Sequence, residues 1–156
     1  MLDIGIIRKA TYLDLPKIIV LEKSCFENEI AYGPKQLKYL VTCANSNTLV
    51  ETYENVIRGF LVVLYKKGTS VAGIETISVD NQYRGKGIAK KLLFSSEEDM
   101  FTKGIKKIRL EVSIGNTSAI NLYQKSGYRI KSILKNYYYE HFGTYNAFRM
   151  VKDLTT

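Results

Sequence analysis

The run from Val79 to Leu93, VDNQYRGKGIAKKLL, constrains this chain more than any other. An alternating apolar stretch (Ile74, Ile77, Val79) ends there, a glycine-bearing basic turn follows, and an amphipathic helix begins at once. A strand passing straight into a helix through such a turn makes an anion site. The first backbone N–H groups of the helix lack intrahelical acceptors, and the aligned peptide dipoles add partial positive charge. Gly85 and Gly87 permit positive φ and close approach of a ligand, while Arg84, Lys86, Lys90 and Lys91 add full charges. A phosphate or pyrophosphate suits the place. Spacing narrows the choice: Lys90 stands where a dinucleotide fingerprint needs its third glycine, and no G-x-x-x-x-G-K-[ST] occurs. What does occur is Gln82-x-x-Gly85-x-Gly87, overlapped by Arg84-x-x-Gly87-x-Ala89.

At 156 residues the chain is expected to form a single domain, 1–156, with a real core. The 46% hydrophobic content excludes a disordered chain. The longest apolar run, Gly59–Tyr65, is strand-sized, so no membrane partner is expected. Met1-Leu2-Asp3-Ile4 does not read as a secretion signal, which points to a cytoplasmic protein. Cys25 and Cys43, with one histidine in the chain, argue against a metal site and against a disulfide framework; both are expected as buried free thiols. The formal charge of +8 favours polyanionic partners, ribosome association among them. The basic residues read as spread along the chain, with dense stretches at Arg84–Lys91 and Lys103–Arg109.

Periodicity gives an ordered series of elements. Ile4–Lys9 reads as a strand, and a helix begins near Leu15-Pro16 with Ile18, Ile19, Leu21 and Cys25 inward. Residues 26–33 form a loop before a second helix at Pro34 carrying Leu37, Leu40 and Val41. Three extended runs follow, Thr48–Tyr53, Val56–Lys66 and Ser70–Val79, separated by Glu54-Asn55 and Lys67-Gly68 turns. Lys86–Lys103 is a helix with Ile88, Ala89, Leu92, Leu93 and Phe101 inward, closed by Gly104. Ile108–Val112 is a short strand, Asn116 caps a helix over Thr117–Ser126, and Gly127 ends it. Tyr128–Tyr139 and Tyr145–Lys152 form a last hairpin around His141-Phe142-Gly143, with Tyr137, Tyr138 and Tyr139 alternating faces. His141 is expected at its exposed tip. The order β-α-α-β-β-β-α-β-α-β-β describes a mixed α/β sheet flanked by helices.

The glycine turn resembles the acetyl-CoA pyrophosphate loop of the GNAT acetyltransferases. A second run, Leu110-Glu111-Val112-x-x-x-Asn116-x-x-Ala119-x-x-Leu122-Tyr123-x-Lys125-x-Gly127-Tyr128, resembles that family's second signature and follows at the right distance. The resemblance implies the GNAT fold: a mixed, mostly antiparallel central sheet (α/β, or α+β) with about four helices. Within the superfamily, Lys135–Met150 is similar to the hairpin of RimI-type and archaeal protein N-terminal acetyltransferases, and Leu21-Glu22-x-x-Cys25-Phe26 to their first helix-loop segment. Asn146 and Phe148 depart from that pattern, which has Asp and Tyr there.

The resemblance implies acetyl-CoA as cosubstrate, no metal, and protein N-termini or peptides as acceptors, in a monomer or homodimer. It assigns the donor to Ile77, Ser78 and Val79 on the preceding strand, to Gln82, Tyr83, Arg84, Gly85, Lys86, Gly87, Ile88 and Ala89 in the loop and helix start, and to Asn116. Glu111 is the first candidate base, Glu75 the second, and Tyr123 the candidate acid toward the leaving thiolate. Tyr32, Tyr138 and Tyr139 are the expected acceptor contacts. An α-amine, with pKa near 8, is roughly a tenth neutral at pH 7, so it needs only modest base assistance. A GNAT enzyme for small amines (a polyamine, an amino acid or an antibiotic) is the alternative. A non-enzymatic basic domain is disfavoured by the intact loop together with Glu111 and Tyr123.

Overall fold

The computed structural model describes residues 4–26, 31–138 and 144–154. Among the described residues seven strands and four α-helices follow the expected order: β1 (Ile6–Lys9), α1 (Leu15–Cys25), α2 (Pro34–Thr42), β2 (Ser46–Tyr53), β3 (Val56–Tyr65), β4 (Val71–Val79), α3 (Ile88–Thr102), β5 (Lys107–Ser113), α4 (Thr117–Lys125), β6 (Arg129–Leu134) and β7 (Ala147–Asp153). The strands form one sheet in the order β1-β2-β3-β4-β5-β7-β6. All neighbours are antiparallel except β4 and β5, which run parallel because α3 carries the chain across between them.

Helices lie on both faces. Phe60, Leu61, Val62 and Val63 of β3 are all fully buried, as a strand covered on both sides requires. Leu15, Ile18, Leu21, Leu37 and Leu40 of α1 and α2 pack on Val50, Phe60 and Val62 on one face. On the other, α3 places Ile88, Leu92, Leu93 and Met100 against Leu61, Val63, Ile74, Ile108 and Leu110.

Among the described residues three bulges interrupt the sheet; one leaves Lys131 of β6 as the extra residue, and the other two bear on the site. On β3, Glu51 and Thr52 face Gly59 and Ile57, which makes Arg58 the extra residue; on β4, Val62 and Val63 face Thr76 and Ile74, which makes Glu75 the extra one. Bulges sharpen the local twist and re-aim side chains. Arg58 turns inward, 1% exposed, and its guanidinium grips the fully buried carboxylate of Glu51, with Nε donating to Oε1 at 2.8 Å and Nη2 to Oε2.

Several expectations are corrected. Phe101 is 53% exposed: it lies in the last turn of α3, at the end of a row whose earlier members, Leu93 and Glu97, are buried. Neither thiol is a core residue: Cys25 is half-buried at the end of α1 and Cys43 is exposed at the C-cap of α2, where helices surface, though both are free. Strand β6 stops at Leu134, so Tyr137 and Tyr138 lie in the loop that follows and do not alternate along a strand. Tyr139 and His141 fall outside the described residues.

Candidate active site

Strands β4 and β5 pair only at Val71–Lys107, Ala72–Ile108 and Gly73–Arg109. Beyond that they share no ladder, and a cleft of about 640 Å³ opens between Ile74–Val79 on one side and Leu110–Ser113 on the other. The backbone of β4 past Gly73 is therefore offered to a ligand. The glycine turn lies at one end of the cleft; carboxylates and tyrosines gather at the other.

At the loop end, Gly85 and Gly87 have φ of 80° and 77°. A Cβ at either would meet nothing within 4 Å, so the protein's own packing does not demand glycine there. The positive φ does, and the open space is left for an incoming group. Gly87 is the N-cap of α3, and the first intrahelical bond from Lys91 N–H reaches its carbonyl at 3.0 Å. The N–H groups of Ile88, Ala89 and Lys90 thus begin the helix without an intrahelical acceptor, in the wall of the cleft. Arg84 folds back, its Nε donating to the Val79 carbonyl at 3.4 Å. The Asp80 carboxylate accepts from Gln82 N–H at 3.0 Å and fixes the turn. The donor set fits a pyrophosphate: backbone N–H groups, a helix N-terminus and cationic side chains. Of the residues expected to hold the donor, Ile77, Ser78, Val79, Tyr83, Arg84, Gly85, Gly87, Ile88, Ala89 and Asn116 line the cleft, whereas Gln82 and Lys86 do not. Asn116 also caps α4, its Oδ1 accepting from Ala119 N–H at 3.2 Å.

A side chain at Gly87 would be strained by its φ and would project into the anion site. Gly87→Val is expected to raise the Kd for CoA by tenfold or more, about 1.4 kcal/mol or above. Its cost to folding should stay near the roughly 1–2 kcal/mol of a left-handed residue. Calorimetric titration and thermal melting would separate the two effects.

At the other end, Glu75, Glu111, Tyr123, Tyr32 and Tyr138 line the cleft together. The carboxylate of Glu111 is fully engaged. Arg109 Nη1 donates to Oε1 at 3.0 Å and to Oε2 at 3.3 Å, Arg149 Nε to Oε2 at 3.2 Å, and the Tyr137 hydroxyl to Oε1 at 3.4 Å. Glu75 instead accepts one neutral bond, from the Tyr32 hydroxyl at 3.2 Å. Burial pushes its carboxyl up from the ordinary range; the Tyr32 bond and the charge of Arg109 pull the other way, and the nearby Glu111 charge adds to the rise. Tyr123 is buried on α4, edge-to-face with Tyr128 at 5.8 Å between ring centroids, and burial raises its phenol as well.

Sequence reasoning passed over two contributors. Tyr137 pairs edge-to-face with Tyr138 at 4.7 Å and reaches Glu111, a placement hidden by reading the segment as a strand. Glu22, 1% exposed, accepts from the Thr76 hydroxyl at 2.7 Å, the Ser78 hydroxyl at 3.2 Å and Tyr32 N–H at 2.9 Å. It ties α1, β4 and the segment bearing Tyr32 into one frame. Its signal was the lone acid on the apolar face of α1. Asn146, one of the departures from the family pattern, accepts from Asn136 N–H at 3.1 Å and holds the ends of the loop that carries both tyrosines.

Known proteins resemble this chain in sequence and in fold. N-alpha-acetyltransferase 30 of Saccharomyces cerevisiae is 35% identical over 83 residues, covering 53% of this chain and 45% of that protein. The ribosomal protein bS18-alanine N-acetyltransferase of Salmonella typhimurium is 33% identical over 67 residues, covering 43% of this chain and 45% of that one. The chain thus spans about half the length of the curated relatives it matches. The crystal structure of the ribosomal-protein-S18-alanine N-acetyltransferase of Escherichia coli superposes with a TM-score of 0.88 at 22% identity, over 98% of this chain and 96% of that one, and shares the fold. The model of the acetyltransferase (GNAT) family matches residues 15–128, from the start of α1 through the Gly127-Tyr128 end of the second signature. The chain belongs to the GNAT acetyltransferase family.

Proposed function

We propose that this protein transfers an acetyl group from acetyl-CoA to the N-terminal α-amine of a protein or peptide, directly and without an acyl-enzyme intermediate. The observation that carries the proposal is the single cleft: an anion-binding helix N-terminus at one end, and two carboxylates screened by tyrosines at the other, joined by unpaired strand backbone. The names of the relatives above support the acceptor class.

The loop and the first turn of α3 would hold the pyrophosphate, and the exposed edge of β4 would align the pantetheine arm. Bound acetyl-CoA supplies an activated thioester. A backbone N–H of the Ile77–Val79 edge would stabilise the oxyanion as it forms. Glu75 takes the proton from the attacking amine, directly or through a water, because burial makes it a better acceptor and its lone pairs are not consumed by arginines. Glu111, locked between Arg109 and Arg149, orients the acceptor end and holds Tyr137 across it. Tyr123 donates to the leaving sulfur. Since burial keeps the phenol protonated, its contribution rests on position more than on acidity.

Tyr123→Phe is expected to lower kcat by about 10²-fold with the acetyl-CoA KM within about twofold of wild type. The proposal itself is tested by following CoA release on peptides with free N-termini beside the same peptides blocked at the α-amine. Turnover of the free peptides alone supports it; turnover of neither sinks it.

A further inference from the structure

The bonds at the acceptor end reach out onto a face of the sheet that no helix described here covers. Helices α1 and α2 pack on β2 and β3, and the apolar cluster beneath them includes no residue of β5, β6 or β7. Directly opposed residues on antiparallel strands share a face, so the register builds the uncovered surface. Glu111 stands beside Arg149, Arg149 beside Ser132, Arg109 and Arg129 on either side of Val151, and Lys107 beside Asp153. Four cationic side chains crowd a patch holding two carboxylates. Glu111 is 9% exposed and taken up by Arg109 and Arg149. Asp153 is shared by Lys107 at 3.9 Å and Arg129 at 3.1 Å. The cations remain 37% to 57% exposed.

Nor is the charge of the chain evenly spread. From residue 105 to the C-terminus there are nine Lys and Arg against three Asp and Glu, so six of the eight net positive charges lie in the third of the chain that forms this half of the sheet. The patch begins at Glu111, in the wall of the cleft. A polypeptide whose first residue sits between Tyr32 and Tyr137 has this surface beside its next residues.

Resting on the acetyl-transfer proposal above, we infer that the uncovered face of β5, β7 and β6 carries the acceptor chain beyond its reacting amine and selects acceptors with acidic residues after the first few positions. A basic N-terminal segment is disfavoured on the same ground. Extended chain matches a flat sheet face whose guanidinium groups project at strand spacing, and arginine pairs carboxylates in two-point fashion. Polar selection of this kind acts on specificity and salt dependence.

The test uses three peptides with one shared N-terminal residue and, from position four to eight, acidic, neutral or basic side chains. The acidic peptide is expected to exceed the basic one in kcat/KM by about tenfold at low salt, mainly through KM. The ratio should shrink several-fold as ionic strength rises from about 0.01 M to about 0.15 M and the Debye length shortens. Arg129→Glu with Lys107→Glu is expected to bring the ratio to unity or reverse it. Arg129→Gln with Lys107→Gln, which sets no like charge against Asp153, should bring it part of the way and guards against a folding defect. Equal kcat/KM on all three peptides in wild type overturns the inference and leaves α-amine acetylation standing. Turnover on none of them overturns both. A single-stranded RNA that binds this face more tightly than the acidic peptide, and is lost in the double variant, overturns it in favour of a nucleic-acid partner.

Discussion

Glu75→Gln is expected to lower kcat/KM on a peptide acceptor by about 10²- to 10³-fold, within the usual worth of a positioned base. Folding should be intact or improved. Glu75 is the extra residue of the β4 bulge, so its side chain departs from the strand's alternation and enters the cleft. Burial raises its carboxyl above the ordinary value. The folded state therefore favours the protonated form. That contribution to stability is fully present below the unfolded pKa and is lost as pH rises through the folded value. At neutral pH the ionised group is a cost, which glutamine removes while keeping the Tyr32 bond. Activity has the opposite dependence: it falls as pH drops through the raised value, so the acid limb of the kcat/KM profile should lie above the ordinary glutamate range and vanish in Glu75→Gln. Glu111→Gln is expected to act mainly through the acceptor KM, since it loosens Arg109, Arg149 and Tyr137 together. An acid limb unmoved in Glu75→Gln but lost in Glu111→Gln would transfer the base role to Glu111.

Arg58→Ala is expected to destabilise the fold by about 3–5 kcal/mol, because it strands the fully buried Glu51 carboxylate without its partner. For a domain of this size that lowers Tm by about 10 °C. The double change Arg58→Met with Glu51→Leu should recover most of the loss, since an apolar pair of similar volume avoids both desolvation costs. Gly5 leaves the required room; a Cβ there would run into Glu51 Oε2 and lie 2.8 Å from Arg58 Nη2. The pair also touches the donor loop. The Arg58 guanidinium lies 5.5 Å from the Tyr83 ring centroid, and its carbonyl accepts from Asp80 N–H at 2.8 Å. The recovered double variant should therefore still bind acetyl-CoA less tightly than wild type. Thermal melts across the three variants check the stability ordering, and titration with CoA checks the coupling.

These two residues mark what the sequence hides. Element order, the glycine turn and the inward faces of α1 and α2 were legible because apolar periodicity and backbone-specific glycines act locally. The bulges at Arg58 and Glu75 were not, since a bulge is set by the register between two strands and leaves no mark on either one alone. So nothing in the sequence singled out Arg58, and Glu75 ranked below Glu111. The saturation of Glu111 was equally invisible: Arg149 lies 38 positions away and meets it only because β7 inserts between β5 and β6. Phe101 shows the reverse failure: it continues the buried row of Leu93 and Glu97, so periodicity places it inward, yet in the last turn of α3 it is exposed.

The most direct test of the proposed activity is CoA release from acetyl-CoA by the full chain, measured side by side on a free-N-terminus peptide, an N-terminally blocked peptide with one lysine, and spermidine. Turnover on the free α-amine at least tenfold above the other two is the predicted result, matching the larger neutral fraction of an α-amine near pH 7. Turnover on spermidine with none on the free-N-terminus peptide would contradict it and assign the cleft to small amines.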